Sequence, residues 1–503
     1  MGYHFRGQEQ AVPEEIMRWA DPGIWKLVRL VEQVDMSGFL ADYCDDGWGG
    51  QPYDPRLMLV SVWWCYQHGV RSPEDMARAC REQVSLRVVW ARDQTPSADT
   101  FRRFIGGHPQ GWLLAQASTV KSCARLGLVD MSVTATDSTP MAASAALSTA
   151  MSAARLTVLI DQAEQDLAEV RQRAAEAAEQ GMVDECCQKL RRREARVLSR
   201  VERLRTAEEF ARNRDEEVQN DHPPPASVWS RHAADHRQGL ADMITKQQEK
   251  VDAYRAKVEA GRKPPGVAPR APQDHPHIRA KIEALARCEQ RLATPTPRPA
   301  RRRNSARAAP SDPESRILKG KNTTMWVLGR LFTVTACLGQ IILVGLLSPE
   351  GNDAHGLHPT LAAAANIRDL AGITQPTRYD LADSGFASEQ VFTTPSALGG
   401  HLLISVTNEN DQLHGTTPTT TLTARQEMAA LLATPEGKTT YRLRSPMIEP
   451  VFAHILRTDR RLHLRGPGQH NEIIAITSAY NAGKYLRYQY SRTRSKHLTR
   501  KRP

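Results

Sequence analysis

The fold of this chain is decided by residues 129–140, whose sequence is Val-Asp-Met-Ser-Val-Thr-Ala-Thr-Asp-Ser-Thr-Pro. Val133 to Thr136 are small or β-branched, which predicts a short buried strand. The strand is predicted to end on Asp137 and to turn through the Ser-Thr-Pro that follows. A carboxylate at the mouth of a buried strand needs a compensating partner, and a divalent cation is one. An aspartate that only caps a turn is the commoner alternative, and two acids further along the chain decide against it.

The composition is that of a large, basic chain. Its 503 residues are enough for two or three domains. Lys and Arg number 67 against 56 Asp and Glu, which gives a net charge of +11 and a pI near 9.3. This excess favours a polyanionic partner. Basic residues cluster at 301–307 and 492–502, and a solvated, disordered segment is the alternative interpretation of each cluster.

The sequence predicts a cytosolic protein with no membrane span. Its eight cysteines form no Cys-x-x-Cys pair, and the first residues lack the apolar run of a signal peptide. Residues 326–347 are apolar, but Arg330 would cost about 2.5–3.5 kcal/mol at the centre of a bilayer. Two β-rich runs, 327–336 and 341–347, flank a Leu-Gly-Gln segment, so a hairpin of core strands is favoured over a membrane helix.

Residues 1–125 are predicted to form a helical N-terminal domain that binds DNA. Proline or serine stands at the predicted helix starts, which are Pro13, Pro55 and Ser72. Short connections between predicted helices over 72–82, 84–91 and 97–106 are typical of a helix-turn-helix-like unit. Its arginines could then face DNA phosphate, namely Arg78, Arg81, Arg87, Arg102 and Arg103. An ordinary helical bundle with charged outer faces is the alternative.

A long insertion is predicted to interrupt an α/β core. Residues 126–146 hold the first strand, and residues 147–315 carry a helical, coiled-coil-like period that breaks at proline-rich joints. This pattern predicts a helical-hairpin insertion with disordered linkers. Residues 316–490 hold the rest of the core, and 491–503 form a basic tail. One strand, the insertion, a strand hairpin and then alternating helices and strands predict an α/β fold with a mixed sheet flanked by helices.

Two further acids stand in positions similar to that of Asp137. Asp383 follows a short apolar strand and precedes a Ser-Gly turn, whose glycine lets the backbone swing away from the carboxylate. Glu449 lies between Pro446 and Pro450, which cannot both lie deep in a helix, so a helix is predicted to begin between them. The positive end of that helix favours an ionised carboxylate, and plain compensation of the helix dipole is the alternative for Glu449.

Three carboxylates at two strand ends and one helix start can hold two Mg²⁺ ions, because hard cations prefer oxygen ligands. Two metal ions about 3.5–4 Å apart activate an attacking oxygen and stabilise the leaving one in phosphoryl transfer. The sequence offers no obvious serine or cysteine nucleophile as an alternative. Asp137, Asp383 and Glu449 are therefore the predicted catalytic and metal-binding residues, with Mn²⁺ able to replace Mg²⁺.

The chain resembles bacterial insertion-sequence transposases of the DDE class, whose catalytic core has the RNase H fold. The similarity covers most of the chain outside the insertion. Fragments similar to the family's helical transposase N-terminal domain are Tyr53-Asp-Pro-Arg56, Gly69-Val-Arg-Ser72 and residues 95–104. Fragments similar to its catalytic core are Thr136–Pro140, Asp312–Arg316, Asn352-Asp353, Ala382–Phe386, Glu449–Phe452, Arg465-Gly466, Glu472 and Asn481. The resemblance implies an RNase H-like mixed sheet with Asp137 and Asp383 as the two catalytic aspartates.

The sequence departs from the family pattern around the third acid. The family usually has a tyrosine and an arginine just before the glutamate, and the resemblance implies DNA-binding roles for Tyr441 and Arg444. It also has a lysine seven residues after the glutamate, where this chain has Leu456 followed by Arg457. A long arginine could still reach a DNA phosphate. Residues 321–331 also lack the tyrosine-bearing segment expected before the second core strand, and both departures leave open a decayed copy.

The predicted function is that of a DDE transposase. Water would attack a phosphodiester at the element's end, and the freed 3′-hydroxyl would then attack target DNA. The implied partners are double-stranded DNA, both the terminal inverted repeats and the target, and further copies of the chain in a homodimer or higher multimer. The implied location is the cytoplasm, on the nucleoid. The alternatives are a catalytically decayed DNA-binding protein derived from a transposase, and a metal-dependent nuclease without strand transfer.

Overall fold

The structure is a computed structural model that describes ten segments of the chain. They are residues 18–43, 52–90, 95–179, 184–220, 226–260, 268–293, 306–319, 326–348, 356–406 and 424–499. Two compact units are present, one formed by Met1–Phe210 with Arg307–Pro503 and the other by Ala211–Ala306. Among the described residues, no helix is both long enough and apolar enough to cross a membrane.

The N-terminal region is helical, as the sequence predicts. Its helices are α1 (Pro22–Val31), α2 (Ser37–Leu40), α3 (Pro55–Gln67), α4 (Pro73–Glu82), α5 (Val84–Trp90), α6 (Ala98–Gly106) and α7 (Pro109–Arg125). The predicted starts at Pro55 and Ser72 are confirmed, because Asp54 and Ser72 cap α3 and α4 with their side chains and a proline follows each cap. The predicted start at Pro13 lies outside the described residues. Three fully buried tryptophans, Trp63, Trp90 and Trp112, anchor the core of this region.

A six-stranded mixed sheet forms the centre of the core. The strands in the described segments are β1 (Val133–Ala142), β2 (Met151–Ser152), β3 (Arg307–Ala308), β4 (Arg316–Lys319), β5 (Trp326–Cys337), β6 (Ile342–Ser348), β7 (Tyr379–Ala382) and β8 (His401–Ile404). The strand β5 pairs antiparallel with β1 on one side and with β4 and β6 on the other. The strand β7 then pairs parallel with β1, and β8 pairs parallel with β7. The predicted hairpin within 326–347 is confirmed as β5 and β6.

The first strand is longer than the sequence predicts, so the predicted turn after Asp137 is wrong. β1 continues to Ala142, because its antiparallel ladder with β5 runs as far as Ala142 opposite Gly329. Its parallel ladder with β7 stops at Thr136. Between Thr136 and Ala142, where the strand meets Arg461 on that side, the ladder is therefore formed with β5 only. Such a half-paired stretch tolerates Pro140, which has no amide hydrogen to donate.

The predicted insertion is helical, and its described residues form four α-helices. They are α8 (Ala153–Glu179), α9 (Asp184–Asn220), α10 (Ala226–Glu259) and α11 (Pro276–Ala293). In the first unit, α8 and α9 run antiparallel, and Arg171 pairs with Glu194 while Arg205 pairs with Glu164. In the second unit, α10 and α11 are also antiparallel, with Arg237 paired to Glu289. The predicted breaks at 222–225 and 263–266 lie outside the described residues, as does most of the predicted linker at 295–310.

Helices cover the sheet, and one of them forms hydrogen bonds to its edge. They are α12 (Leu357–Leu370), α13 (Glu389–Thr393), α14 (Ala424–Ala433), α15 (Pro435–Tyr441), α16 (Arg444–Ile455) and α17 (Gly468–Thr499). α17 packs on β6, where the buried amide of Asn481 accepts from the backbone nitrogen of Ile342 at 2.9 Å and donates to its carbonyl at 2.8 Å. A sheet edge that is buried needs such partners, because unpaired backbone groups are costly away from water. The observed fold class is therefore α/β with a mixed sheet and flanking helices.

Candidate active site

The parallel ladder between β1 and β7 brings two predicted acids together. Its last pair is Thr136 with Ala382, so Asp137 and Asp383 each come one residue after the same rung. Each carboxylate accepts from the next backbone amide, from Ser138 at 2.8 Å and from Ser384 at 2.7 Å. The Asp137 side chain is 14% exposed and that of Asp383 is 45% exposed. The two aspartates therefore share one end of the parallel ladder although 246 residues separate them in sequence.

Arg444 lies between the two aspartates. Its Nη1 is 3.3 Å from Oδ2 of Asp137, and its Nη2 is 3.9 Å from Oδ1 of Asp383. The arginine side chain is 18% exposed, so this ion pair is largely screened from water. Burial by itself lowers the pKa of Arg444, but the nearby Tyr441, Asp137 and Asp383 raise it overall, and the guanidinium stays charged. Both aspartates consequently face one shared positive charge.

Tyr441 supports this arrangement from the end of α15. Its hydroxyl donates to the carbonyl of Ala382 at 3.2 Å, one residue before Asp383. The Arg444 guanidinium lies 6.0 Å from the centre of the tyrosine ring. Burial raises the pKa of Tyr441, so the hydroxyl keeps its proton for this hydrogen bond. Tyr441 thus ties the segment that carries Arg444 to the end of β7.

Glu449 lies on α16, but not at its start. The helix begins at Arg444, so the predicted start between Pro446 and Pro450 is wrong. Pro450 sits inside the helix and has no amide hydrogen for the Pro446 carbonyl. That carbonyl accepts instead from the Gln340 side chain at 3.0 Å, which explains how the helix tolerates the proline. Glu449 is exposed in the second turn, where its carboxylate accepts from the Ser445 hydroxyl.

The three predicted acids do not form one metal cluster in this structure. Among the described residues, no three His, Cys, Asp or Glu side chains group closely enough to hold a metal ion. Asp137 and Asp383 nevertheless fit a divalent cation, because both carboxylates already face a common positive group. α16 packs across β1 and β5, with the rings of Phe452 and Phe332 5.9 Å apart and edge to face. The helix that carries Glu449 is therefore held against the strand that carries Asp137.

The residues after Glu449 do not follow the family pattern. Leu456 is buried and is the C-cap residue of α16, while Glu449 is exposed. A buried leucine therefore stands where the family has a lysine. Arg457 is exposed and lines a small cavity together with Arg71 and His454.

The predicted DNA-binding arginines of the N-terminal region lie on α4 and α6, and two of them are ion-paired. Arg78 pairs with Asp75 at 2.5 Å, and Arg102 pairs with Glu74 and Asp99. Arg81 is exposed, and Arg103 is exposed with its Nε 3.4 Å from the Asp99 carbonyl. All four lie on the surface of neighbouring helices, and their role in DNA binding stays a prediction.

The sequence analysis did not identify two buried acids as structural residues. Asp380 is 2% exposed within β7, accepts from the hydroxyls of Thr134 and Ser396, and has its pKa raised by burial. Asp312 is fully buried and accepts from Ser315 and from Gln469 of α17. Their positions in the sequence could have indicated burial, because each acid lies in or beside an apolar segment that the core would bury.

The comparisons with known proteins concern the helical N-terminal region. Residues 16–106 match the family model described as "Transposase domain (DUF772)". This match supports an insertion-sequence transposase. Comparison with curated proteins and with solved structures gave no match.

Proposed function

We propose that this protein is a DDE transposase that cleaves DNA and transfers strands with the help of Mg²⁺. The observation that carries the proposal is the pairing of Asp137 and Asp383 at one end of the β1–β7 ladder, with the Arg444 guanidinium between them. A packing role does not require two carboxylates at this position, because each would have to be compensated. A role in holding cations and phosphate requires both carboxylates and an arginine.

The strand order supports an RNase H-like core. Three antiparallel strands, β6, β5 and β1, are followed by the parallel strands β7 and β8. The first acid lies on β1, the first strand of this sheet along the chain, and the second directly follows β7, which pairs parallel with β1. The insertion leaves the core after β1 and returns through the short ladder of β2 with β3, so the sheet stays intact around it.

Asp137, Asp383 and Glu449 would hold the Mg²⁺ ions. When bound, these ions supply Lewis-acid stabilisation of the attacking and leaving oxygens in phosphoryl transfer. Arg444 would then leave the carboxylates and bind a phosphate oxygen, for which a planar guanidinium is well suited. Tyr441 keeps the arginine beside the site through its bond to the Ala382 carbonyl. Arg457 would contact a phosphate near the reacting bond. The N-terminal arginines Arg78, Arg81, Arg102 and Arg103 would contact phosphates of the terminal repeats.

The deciding experiment compares Asp137→Asn with Asp130→Asn. Asp130 is a matched control, because it lies just before the same strand and accepts from the Ser132 amide and the Gln375 side chain. Labelled element ends and a supercoiled target are incubated with Mg²⁺, and nicked and joined products are counted. We expect Asp137→Asn to abolish both products and to leave end binding largely intact, while Asp130→Asn retains both. Full nicking by Asp137→Asn would show that Asp137 is not part of the active site.

The same assay separates the alternatives. Nicking without joined products from the unsubstituted protein would indicate a nuclease without strand transfer. Salt-sensitive binding of ends without any Mg²⁺-dependent product would indicate a decayed, DNA-binding descendant of a transposase. The buried Leu456 in place of the family's lysine is the observation that favours this last outcome.

A further inference from the structure

The helix α9 carries a continuous cationic face. At about 100° per residue, six residues between positions 189 and 203 fall within a sector about 100° wide, and every one is Lys or Arg. They are Lys189, Arg192, Arg193, Arg196, Arg200 and Arg203, called the α9 basic face below. The two acids in this stretch, Glu194 and Glu202, lie outside the sector. All six cationic side chains are exposed.

The partner helix α8 neutralises little of this charge. The ion pairs described between α8 and α9 lie along the contact between the helices, as in Arg205 with Glu164 and Glu194 with Arg171. Within the α9 basic face, Arg200 has its Nη1 3.5 Å from Asp166 at the edge of that contact. No ion pair joins Arg192, Arg193, Arg196 or Arg203 to another residue in the described part of the chain. A cluster of uncompensated like charges raises the energy of the folded chain and favours a polyanionic partner.

The α9 basic face continues toward the N-terminal helices. Arg203 lines a cavity of about 750 Å³ together with Arg465 and with Glu202 at its rim. Arg465 also lines a second cavity, of about 560 Å³, with His463 and with Arg102 of α6, which is paired with Glu74 in the same lining. All of these residues belong to the same compact unit as Asp137 and Asp383. Arg465 therefore shares one cavity with α6 and another with the α9 basic face.

The length of the α9 basic face fits a short stretch of duplex DNA. Lys189 and Arg203 are fourteen residues apart, so the α9 basic face is about 21 Å long, which is the length of about six base pairs of DNA. Ser144, at the edge of the second cavity, follows Asp137 by seven residues of mostly extended chain, or at most about 23 Å. Arg203, at one end of the α9 basic face, and Ser144 each line a cavity with Arg465, so Arg465 connects this end of the face to the chain that follows Asp137.

We propose that the α9 basic face binds the phosphate backbone of duplex DNA outside the scissile position. This inference rests on the proposed function, since it assumes that the chain acts on DNA. Because arginines that contact only phosphates carry no sequence information, binding at this face is independent of sequence. The insertion then contributes affinity for DNA near the cut, in addition to recognition by the N-terminal helices.

The test is a triple substitution, R193Q/R196Q/R203Q, against the matched control R171Q/R191Q/R205Q. The control makes the same change of net charge in the same helical hairpin, at exposed arginines outside the sector. Helical content and thermal unfolding of both variants are compared first, so that a folding defect is recognised. Binding to a labelled duplex is then measured by fluorescence anisotropy between about 50 and 200 mM salt.

We expect the test variant to bind on the order of 100-fold more weakly at about 100 mM salt, with the salt slope reduced by about 2.7, or 0.9 per lost phosphate contact. The loss should be equal for an element end and for an unrelated duplex of the same length. It should disappear for a duplex too short to extend beyond the cut. Equal binding by the test and control variants, or a loss confined to element ends, would overturn the proposal.

This experiment also separates the two levels of the argument. If the unsubstituted protein shows no salt-dependent binding to any duplex, the proposed function itself fails. If it binds duplexes and nicks ends, but the triple variant matches the control, the proposed function stands and the α9 basic face is not a DNA-binding surface.

Discussion

Replacing Arg444 by glutamine should strengthen the binding of divalent cations. In this structure the guanidinium faces both Asp137 and Asp383, so an incoming cation has to compete with it. Glutamine keeps much of the length of the side chain but removes the charge. The same change removes the group proposed to bind phosphate, so cation affinity and DNA cleavage should change in opposite directions.

The size of the effect follows from the geometry. At an effective dielectric constant of about 20, contacts of 3.3 and 3.9 Å correspond to gross attractions of roughly 5 and 4 kcal/mol. Desolvation of the charges offsets most of this, and Asp383, at 45% exposure, is further screened by water. A net value of about 1–2 kcal/mol remains. Because about 1.4 kcal/mol corresponds to a factor of ten, the dissociation constant for Mn²⁺ should fall about 5- to 30-fold.

Mn²⁺ binding is measured directly by titration with detection of the free ion by paramagnetic resonance, without DNA. Arg442→Gln is the matched control, because Arg442 is exposed two residues away and the charge change is the same. The control should leave the dissociation constant unchanged, and Asp137→Asn should weaken binding. If Arg444→Gln binds Mn²⁺ no more tightly than the unsubstituted protein, the guanidinium does not occupy the cation position, and the reasoning fails.

Two further predictions concern stability. Glu314→Gln should destabilise the fold by roughly 1–3 kcal/mol in urea unfolding, because it weakens the compensation of the buried Arg330, whereas Asp369→Asn, in an exposed pair, should cost less than about 1 kcal/mol. His470 and Arg330 lower the pKa of Glu314 to about 2. The difference in unfolding free energy between Glu314→Gln and the unsubstituted protein should therefore be complete above about pH 4.5 and vanish as the pH falls towards 2. A difference that persists at pH 2 would show that the charge of Glu314 is not its cause. Asn481→Ala should cost about 1–3 kcal/mol, because it leaves the buried backbone nitrogen of Ile342 without a partner, while the Ile342 carbonyl keeps its hydrogen bond from the Gln116 side chain. A loss below about 0.5 kcal/mol would show that water replaces the amide.

The region after Glu449 bears most directly on whether this chain is active. A buried Leu456 cannot contact DNA, so the charge that the family places there has to come from elsewhere. Arg457 is exposed next to it, beyond the end of α16, where the backbone no longer follows the helical period. Arg457→Gln should therefore weaken cleavage only if this arginine replaces the missing lysine, and the product assay described above measures that directly.

The sequence by itself determined the local elements. Capping residues followed by proline located α3 and α4, and the β-rich runs on either side of Leu-Gly-Gln predicted the β5–β6 hairpin in place of a membrane helix. A short apolar strand before each aspartate predicted β1 and β7. These signals are read within a few residues, because caps, turns and hydrophobic periods act over that distance.

Only the tertiary structure decided the features that depend on contacts distant in sequence. β1 runs through Pro140 because β5 pairs with it, and α16 contains Pro450 because Gln340 satisfies the freed carbonyl. Arg444 reaches Asp137 across 307 positions of sequence. No local pattern records such contacts, since their energy arises only when separate segments are packed together and water is removed from between them.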